Sequence, residues 1–293
     1  MLKKIACLED EKNLYEYFKQ ISPEIPYYYP VDFDIWRKSM FVENDGMEFN
    51  NSELETYLLY EEAVMKGFIQ YGFPNPAHHE DNKNLAVIRN MHYAKDSKKP
   101  EELMESALNY FKKKNVRQIF AFLHWFGMEC YATHGKLHES QFHIEDLLIK
   151  YSFENNETNV YFTKDLRGSN AENNSEIVCE IYDESEIVRN FSREESMKIK
   201  FFCNGEQIGV CDLRFMHSGI SYLVYIEIFE KYRRKNLSTK CMNNIFFILK
   251  ERGIKRIDLD TYGDNFAAQG LYTKTGFINT GLTRSYIHEP NQR

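Results

Sequence analysis

Three consecutive cations, Arg233, Arg234 and Lys235, stand where an apolar strand gives way to a helix. The strand candidate runs from Ser221 to Phe229 and the helix candidate from Leu237 to Arg252, and the polar stretch Glu230 to Thr239 joins them. The N–H groups of a helix's first turn have no partner inside the helix, and with the helix dipole they form an anion site suited to a pyrophosphate. Asn236 tolerates a left-handed backbone better than most residues, and Ser238 is small enough to admit a phosphate. Leu237 and Thr239 contribute further first-turn amides. A basic run at this place reads as a phosphate grip.

Other reactive side chains are less telling. His78, His79, Glu80 and Asp81 suggest a metal site, but adjacent histidines face one ion only in a tight turn, and no third ligand is evident; a polar loop is the expectation. His134, His138 and His143 fall in a stretch read as helical, where His134 and His138 share a face, yet no HExxH pattern accompanies them. The six cysteines, at 7, 130, 179, 203, 211 and 241, form no CxxC pair and are expected as reduced core thiols of a cytoplasmic protein. None is placed as a nucleophile. No metal is expected.

The elements that must position the basic loop are legible around it. Met197 to Cys203 and Ile208 to Phe215 form a hairpin about an Asn204-Gly205 turn signal. Ser221 to Phe229 alternates, with Tyr222, Val224, Ile226 and Ile228 on one face and Tyr225, Glu227 and Phe229 on the other. In the following helix Leu237, Cys241, Ile245 and Ile248 or Leu249 share a face, and Gly253 caps its end. Arg256 to Tyr262 is a strand and Asn265 to Thr275 a helix capped by Gly276. Upstream, Thr56 to Tyr71 reads as a strand pair and Leu85 to Ile88 as a short strand. A helix opens at Pro100 and ends on Lys112 to Lys114, and Arg117 to Phe126 is a buried strand. The polar run Asp165 to Glu176 is a linker or long surface loop. It divides the chain into a first domain, 1–165, and a second, 177–293. Asn115 to Ile119 echoes Gly253 to Ile257, and Leu148 to Phe153 echoes Tyr272 to Phe277, which suggests divergent duplication.

The bulk numbers narrow the function. With 43% hydrophobic and 28% charged residues the composition is that of a globular protein, and no apolar run is long enough to span a membrane. A net charge of −7 disfavours nucleic acid as a partner and is compatible with a cationic substrate.

Arg233-Arg234-Lys235-Asn236-Leu237-Ser238 resembles the (Gln/Arg)-x-x-Gly-x-(Gly/Ala) loop of GNAT acetyltransferases, with Asn236 and Ser238 in the two small-residue positions. Asn265 to Phe277 is similar to the family's Asn-x-x-Ala, Leu-Tyr-x-x-x-Gly-Phe segment with its spacing intact, and the two segments follow in family order. The resemblance covers Met197 to His288. It implies an α/β fold of two mixed sheets, the second with splayed central strands, and a degenerate N-terminal copy. Where the first half would carry its own phosphate loop, Ala94 to Pro100, there is no glycine. That half would shape the substrate cleft or the surface of a homodimer.

The resemblance further implies an N-acetyltransferase using acetyl-CoA as cosubstrate. Arg233 and the amides of Arg234 to Thr239 would hold the pyrophosphate. Ile226 and Ile228 would pair with the pantetheine arm, and Asn265 would hydrogen-bond it. Tyr272 would sit near the thioester sulfur and protonate the leaving thiolate. The acceptor would be a small-molecule or peptide amine, attacking directly after a base takes its proton. Glu227 and Asp260 are equal candidates for that base. The alternative is a catalytically inactive acyl-CoA-binding or regulatory module.

Overall fold

The computed structural model describes residues 1–42, 53–74, 85–123, 135–168, 172–182, 196–216 and 219–290. These divide into two compact units. One comprises residues 1–158 and 283–290, and the other residues 159–182 and 196–282. The candidate metal residues His78 to Asp81, together with Cys130 and His134, lie outside the described residues.

The first unit begins with β1 (Leu2–Lys4), α1 (Leu8–Ile21) and the short α2 (Phe33–Arg37). The antiparallel hairpin β2 (Glu55–Glu61) and β3 (Val64–Gly72) follows, and β4 (Leu85–Tyr93) pairs with β3. Its central strand is therefore longer than the four residues read from sequence. After α3 (Glu101–Lys113), β5 (Gln118–Ala121) returns parallel to β4 from Leu85↔Gln118 to Ile88↔Ala121. The expected strand to Phe126 stops early because Phe122 turns left-handed at φ 56° and its N–H bonds the carbonyl of Ile88 at 3.0 Å. β6 (Leu137–His138) precedes α4 (Phe142–Lys150). His138, expected on a helix, is thus a strand residue; it pairs with Thr283 of the chain's last strand, and its ring accepts the Ser140 N–H at 3.2 Å.

The second unit takes up β7 (Glu154–Asp165) at Asn159 and continues through β8 (Val178–Tyr182), β9 (Ser196–Cys203), β10 (Glu206–Met216) and β11 (Ile220–Ile228). Then come α5 (Leu237–Glu251), β12 (Arg256–Tyr262), α6 (Phe266–Lys274) and β13 (Ile278–His288). Its strand order is β7-β12-β11-β10-β9-β8, with β11–β12 parallel and the other pairs antiparallel. The β9–β10 turn has Asn204 at φ 52° and Gly205 at φ 79°, the type I′ geometry that matches strand twist. The apolar face of α5, Leu237, Cys241, Ile245 and Leu249, packs on Ile199, Leu213, Ile257 and Leu259 in one core. The polar run after β7 is a pinned surface loop: Asn244 of α5 accepts the Asn174 N–H at 2.6 Å and donates to its carbonyl at 3.2 Å.

β7 and β13 each contribute residues to both units. Asn159 to Asp165 of β7 pair with Tyr262 to Arg256 in the second unit, while Tyr286 to His288 of β13 pair with β5 in the first. The five cysteines among the described residues are free thiols, and no helix there is long and apolar enough to cross a membrane.

Candidate active site

The basic loop sits at a fork between two strands. β11 and β12 pair only at Ile220↔Arg256, Ser221↔Ile257 and Tyr222↔Asp258; beyond that both strands continue without pairing to each other. Peptide groups on the facing edges are thus free of ladder bonds and can take an extended ligand. The register of β11 against β10 shifts between Leu213↔Leu223 and Asp212↔Tyr225, which leaves Val224 as an extra, bulged residue. The bulge reverses the parity of the strand. Leu223, Ile226 and Ile228 turn to the core under α5, while Tyr222, Tyr225 and Glu227 share the opposite face. The simple alternation read from sequence, with Tyr222 beside Ile226, fails because one residue has been inserted.

Between the fork and α5 the chain makes a 3-10 turn at Glu230–Tyr232 and then places Arg234 at φ 64° and Asn236 at φ 57°. Left-handed geometry costs a residue with a Cβ about 1–2 kcal/mol, less for Asn. Asn236 thus adopts the conformation that makes Gly or Asn suitable there; the strain at Arg234 was not visible in the sequence. The Asn236 side chain does not cap α5. Its Oδ1 accepts from Lys274 Nζ at 2.8 Å, tying the loop to α6, and no capping side-chain hydrogen bond forms at the helix start among the described residues.

A cavity of about 230 Å³ opens here. Of the residues expected to bind a cofactor it is lined by Ile226, Ile228, Arg233, Arg234, Leu237 and Ser238, together with Glu227. Tyr232, Ala267, Ala268 and Leu271 complete it; none had been given a role, although two belong to the recognised Asn-x-x-Ala and Leu-Tyr pattern. Lys235, Asn236 and Thr239 stand in or beside the loop without lining the cavity. Lys235 lies 5.7 Å from the Tyr232 ring. Arg233 is held by its own strand, with Nε donating to the Ile228 carbonyl at 2.8 Å and Nη2 3.4 Å from Glu227. Tyr225 donates to the same carboxylate at 2.6 Å. Glu227 therefore belongs to the loop end of the fork. The exposed Arg234 makes no ion pair among the described residues.

A second group gathers where the strands part. Asp260, two residues beyond the last β11–β12 pair, accepts hydrogen bonds from the Tyr222 hydroxyl and from Asn159 Nδ2. Tyr272 is 7% exposed and sits between Phe162 and Phe277, each with ring centroids 5.7 Å away. Among the described residues its hydroxyl has no hydrogen-bond partner. Burial raises its pKa well above that of an ordinary tyrosine, and the Asp260 charge adds to the effect. Asn265 caps α6, its Oδ1 accepting the Ala268 N–H at 3.2 Å while Nδ2 donates to Thr261 Oγ1 at 3.3 Å. Tyr222 and Asn159 were missed as site residues. Tyr222 was counted with the apolar face, and Asn159 precedes both the polar loop and the recognised segment.

A strand fork, a bulge and a helix start beside small residues thus meet at one cavity. Residues 161–277 match the model of the acetyltransferase (GNAT) family, and this segment is a GNAT domain. The chain as a whole has the fold of a tandem GNAT protein from the clavulanic acid biosynthesis pathway, solved without acetyl-CoA. The TM-score is 0.68 with 9% identity, over 99% of this chain and 98% of that one. A GCN5-related N-acetyltransferase from Sphaerobacter thermophilus aligns with a TM-score of 0.64 and 9% identity, over 98% and 95% of the two chains. No curated protein matches the chain by sequence.

Proposed function

We propose that the chain is a cytoplasmic N-acyltransferase that moves an acetyl or similar short acyl group from acetyl-CoA directly to a primary amine, on a small molecule or peptide. The observation that carries this reading is the β11–β12 fork opening onto α5's uncapped first turn through a cavity floored by Ala267 and Ala268. The amides of Arg234 to Thr239 take the pyrophosphate, and the Arg234 guanidinium adds a charge-assisted contact. The open edge of Ile226 to Ile228 pairs with the pantetheine amides. Asn265, already fixed as the α6 cap, keeps one N–H of its amide for the same arm.

The two candidate bases separate by position. Glu227 is five residues past the last fork pair, about 16 Å along an extended strand, and is engaged with Arg233. Asp260 stands at the fork, beside Tyr222 and within electrostatic reach of Tyr272. We assign proton removal from the acceptor amine to Asp260 and leave Glu227 the task of orienting Arg233. Tyr272, which burial keeps protonated, donates to the departing thiolate. A strand amide at the Val224 bulge faces the acyl carbonyl as its oxyanion develops.

Calorimetry with acetyl-CoA tests the binding half, and thiol release across a panel of amines tests the transfer. Arg234→Ala should weaken acetyl-CoA binding by about 1–3 kcal/mol, the size of a hydrogen bond to a charged group. No binding of acetyl-CoA would end the proposal. Binding without thiol release from any amine would leave an acyl-CoA-binding module.

A further inference from the structure

The carboxylate assigned as base does not stand alone. Asp258 and Asp260 occupy the same face of β12, yet their surroundings differ. Asp258 is fully buried and receives Arg256 Nη2 at 2.8 Å, Thr163 Oγ1 at 2.6 Å and the Tyr161 hydroxyl at 3.3 Å. It is a neutralised structural carboxylate. Asp260 is only half-buried, and the two donors named for it, Tyr222 on β11 and Asn159 on β7, are uncharged. They reach it from both neighbouring strands, one to each oxygen: Tyr222 to Oδ1 and Asn159 to Oδ2. Asn159 also lies near Asp260 in the β7–β12 ladder, two positions from Tyr161↔Asp260 at Tyr262↔Asn159.

Two single-atom donors on opposite sides fix the rotation of a carboxyl group about its Cβ–Cγ bond, which a lone donor leaves loose. Both donors are neutral, so neither of them cancels the carboxylate's charge. We propose that Tyr222 and Asn159 form a two-sided clamp that orients Asp260 toward the acceptor amine, making β7 part of the catalytic fork. The assignment rests on Asp260 being the base. It reaches outside the matched family segment, since Asn159 precedes residue 161. The ionisable groups around Asp260 include Tyr222 of β11, Asp258 and Arg256 on its own strand, Tyr161 of β7 and Tyr272 of α6.

The test uses the full chain and the amine that gives thiol release. Tyr222→Phe and Asn159→Ala should each lower kcat roughly tenfold to a hundredfold, as expected for a misoriented catalytic group, with acetyl-CoA affinity unchanged. Each should also move the acid limb of the kcat/KM profile to higher pH, because a donor favouring the carboxylate has gone. Asn159→Gln should recover part of the loss. In an Asp260→Asn background neither change should lower the rate further. Equal losses in the wild-type and Asp260→Asn backgrounds, or an unmoved acid limb, would overturn the clamp and leave the transferase reading standing. Wild-type turnover by Asp260→Asn would instead remove the base assignment. Where no amine supports turnover, the Asp260 carboxyl signal in isotope-labelled chain gives the answer alone: it should titrate higher in Tyr222→Phe, and an identical titration overturns the clamp.

Discussion

The two units are built on one frame, and they fill matching positions differently. Each has a hairpin with two left-handed turn residues, Glu62-Ala63 in the first and Asn204-Gly205 in the second. A glycine then backs directly onto the central strand: Gly67 opposite Tyr93 and Gly209 opposite Ile228, where an added Cβ would lie 2.6 Å and 2.2 Å from a carbonyl oxygen. Three residues on, both hairpins carry a bulge, so Arg89 corresponds to Val224. Both final helices are nine residues long, and aligning Phe142–Lys150 on Phe266–Lys274 matches His143 to Ala267, Ile144 to Ala268 and Leu148 to Tyr272. In the second unit the two alanines line a cavity. In the first, Ile144 is fully buried in the core and His143 Nε2 bonds the carbonyl of Tyr93, at the strand end that matches Ile228. Likewise the loop before α3 is not bare: Glu61 Oε1 accepts from the Ser97 hydroxyl and the Lys98 amide, each at 2.8 Å, and from the Lys99 amide at 3.2 Å. Here the chain's own imidazole and carboxylate satisfy backbone groups at the places that match the second unit's cavity and loop.

The strongest way to break this comparison is to carry the first unit's plug into the second. Ala267→His with Ala268→Ile should lower acetyl-CoA affinity by about a hundredfold or more, since the added volume enters the cavity and overpacking alone costs roughly 1–3 kcal/mol. Circular dichroism should be unchanged, because α4 already carries this pair in the same frame. Undiminished binding by calorimetry would mean that the cofactor does not pass between β11 and α6. Next in size, Tyr272→Phe should reduce turnover by about ten- to a hundredfold with acetyl-CoA affinity nearly intact. The loss should be felt most at high pH, where no other proton source replaces the phenol. Retained turnover would make Tyr272 no more than the aromatic counterpart of Leu148.

Part of this contrast was legible in the sequence and part was not. The helix ends were readable because their chemistry is local. Gly253 at φ 75° and Gly276 at φ 84° are left-handed caps, and their echoes Asn115 at φ 54° and Ser152 at φ 62° adopt the same geometry. The N–H groups of Phe153 and Phe277 make the same closing bond to Leu148 and Tyr272, each at 3.0 Å. The basic loop before α5 was readable because Arg233 to Ser238 is contiguous. What could not be read depends on pairs far apart in the chain. The bulge at Val224 needs β10 to reveal it, the clamp on Asp260 joins residues 159, 222 and 260, and the pairings of β7 with β12 and of β13 with β5 join distant segments. The absence of glycine from the first unit's loop is plain in the sequence, but the carboxylate that meets its amides, Glu61, comes from a hairpin more than thirty residues upstream.

A smaller effect separates the units in acid. His92 of the first unit is 6% exposed and bonds the Tyr17 hydroxyl through Nδ1 at 2.9 Å. Burial, with the nearby His143 adding to it, lowers its pKa from 6.5 to about 3. Its folded pKa lies below its unfolded one, so between those values the unfolded chain holds a proton that the folded chain does not. Stability therefore falls as pH drops below 6.5, at about 1.4 kcal/mol per pH unit from this group, and reaches a loss of about 2 kcal/mol near pH 5. Urea unfolding at pH 7 and pH 5, repeated with His92→Gln, measures it. If wild type and variant lose the same stability, the acid sensitivity lies elsewhere and the buried His92 is not what distinguishes the first unit.

The smallest expected effect is the most diagnostic. Glu61→Gln keeps the size of the side chain and removes the charge that the Ser97 hydroxyl and the Lys98 and Lys99 amides stabilise, an arrangement that holds this carboxyl below its ordinary pKa. A carboxylate with a depressed folded pKa contributes stability above its unfolded pKa and loses it as pH falls through the folded value. The variant should therefore show a small drop in melting temperature at neutral pH that vanishes in acid, where wild type is protonated as well. Acetyl-CoA should still bind once per chain, because His143 and Ile144 continue to close the strand side of the first unit. A second equivalent of acetyl-CoA in calorimetry would show that Glu61 alone had kept that unit shut, and that the two units differ by one carboxylate rather than by a filled fork.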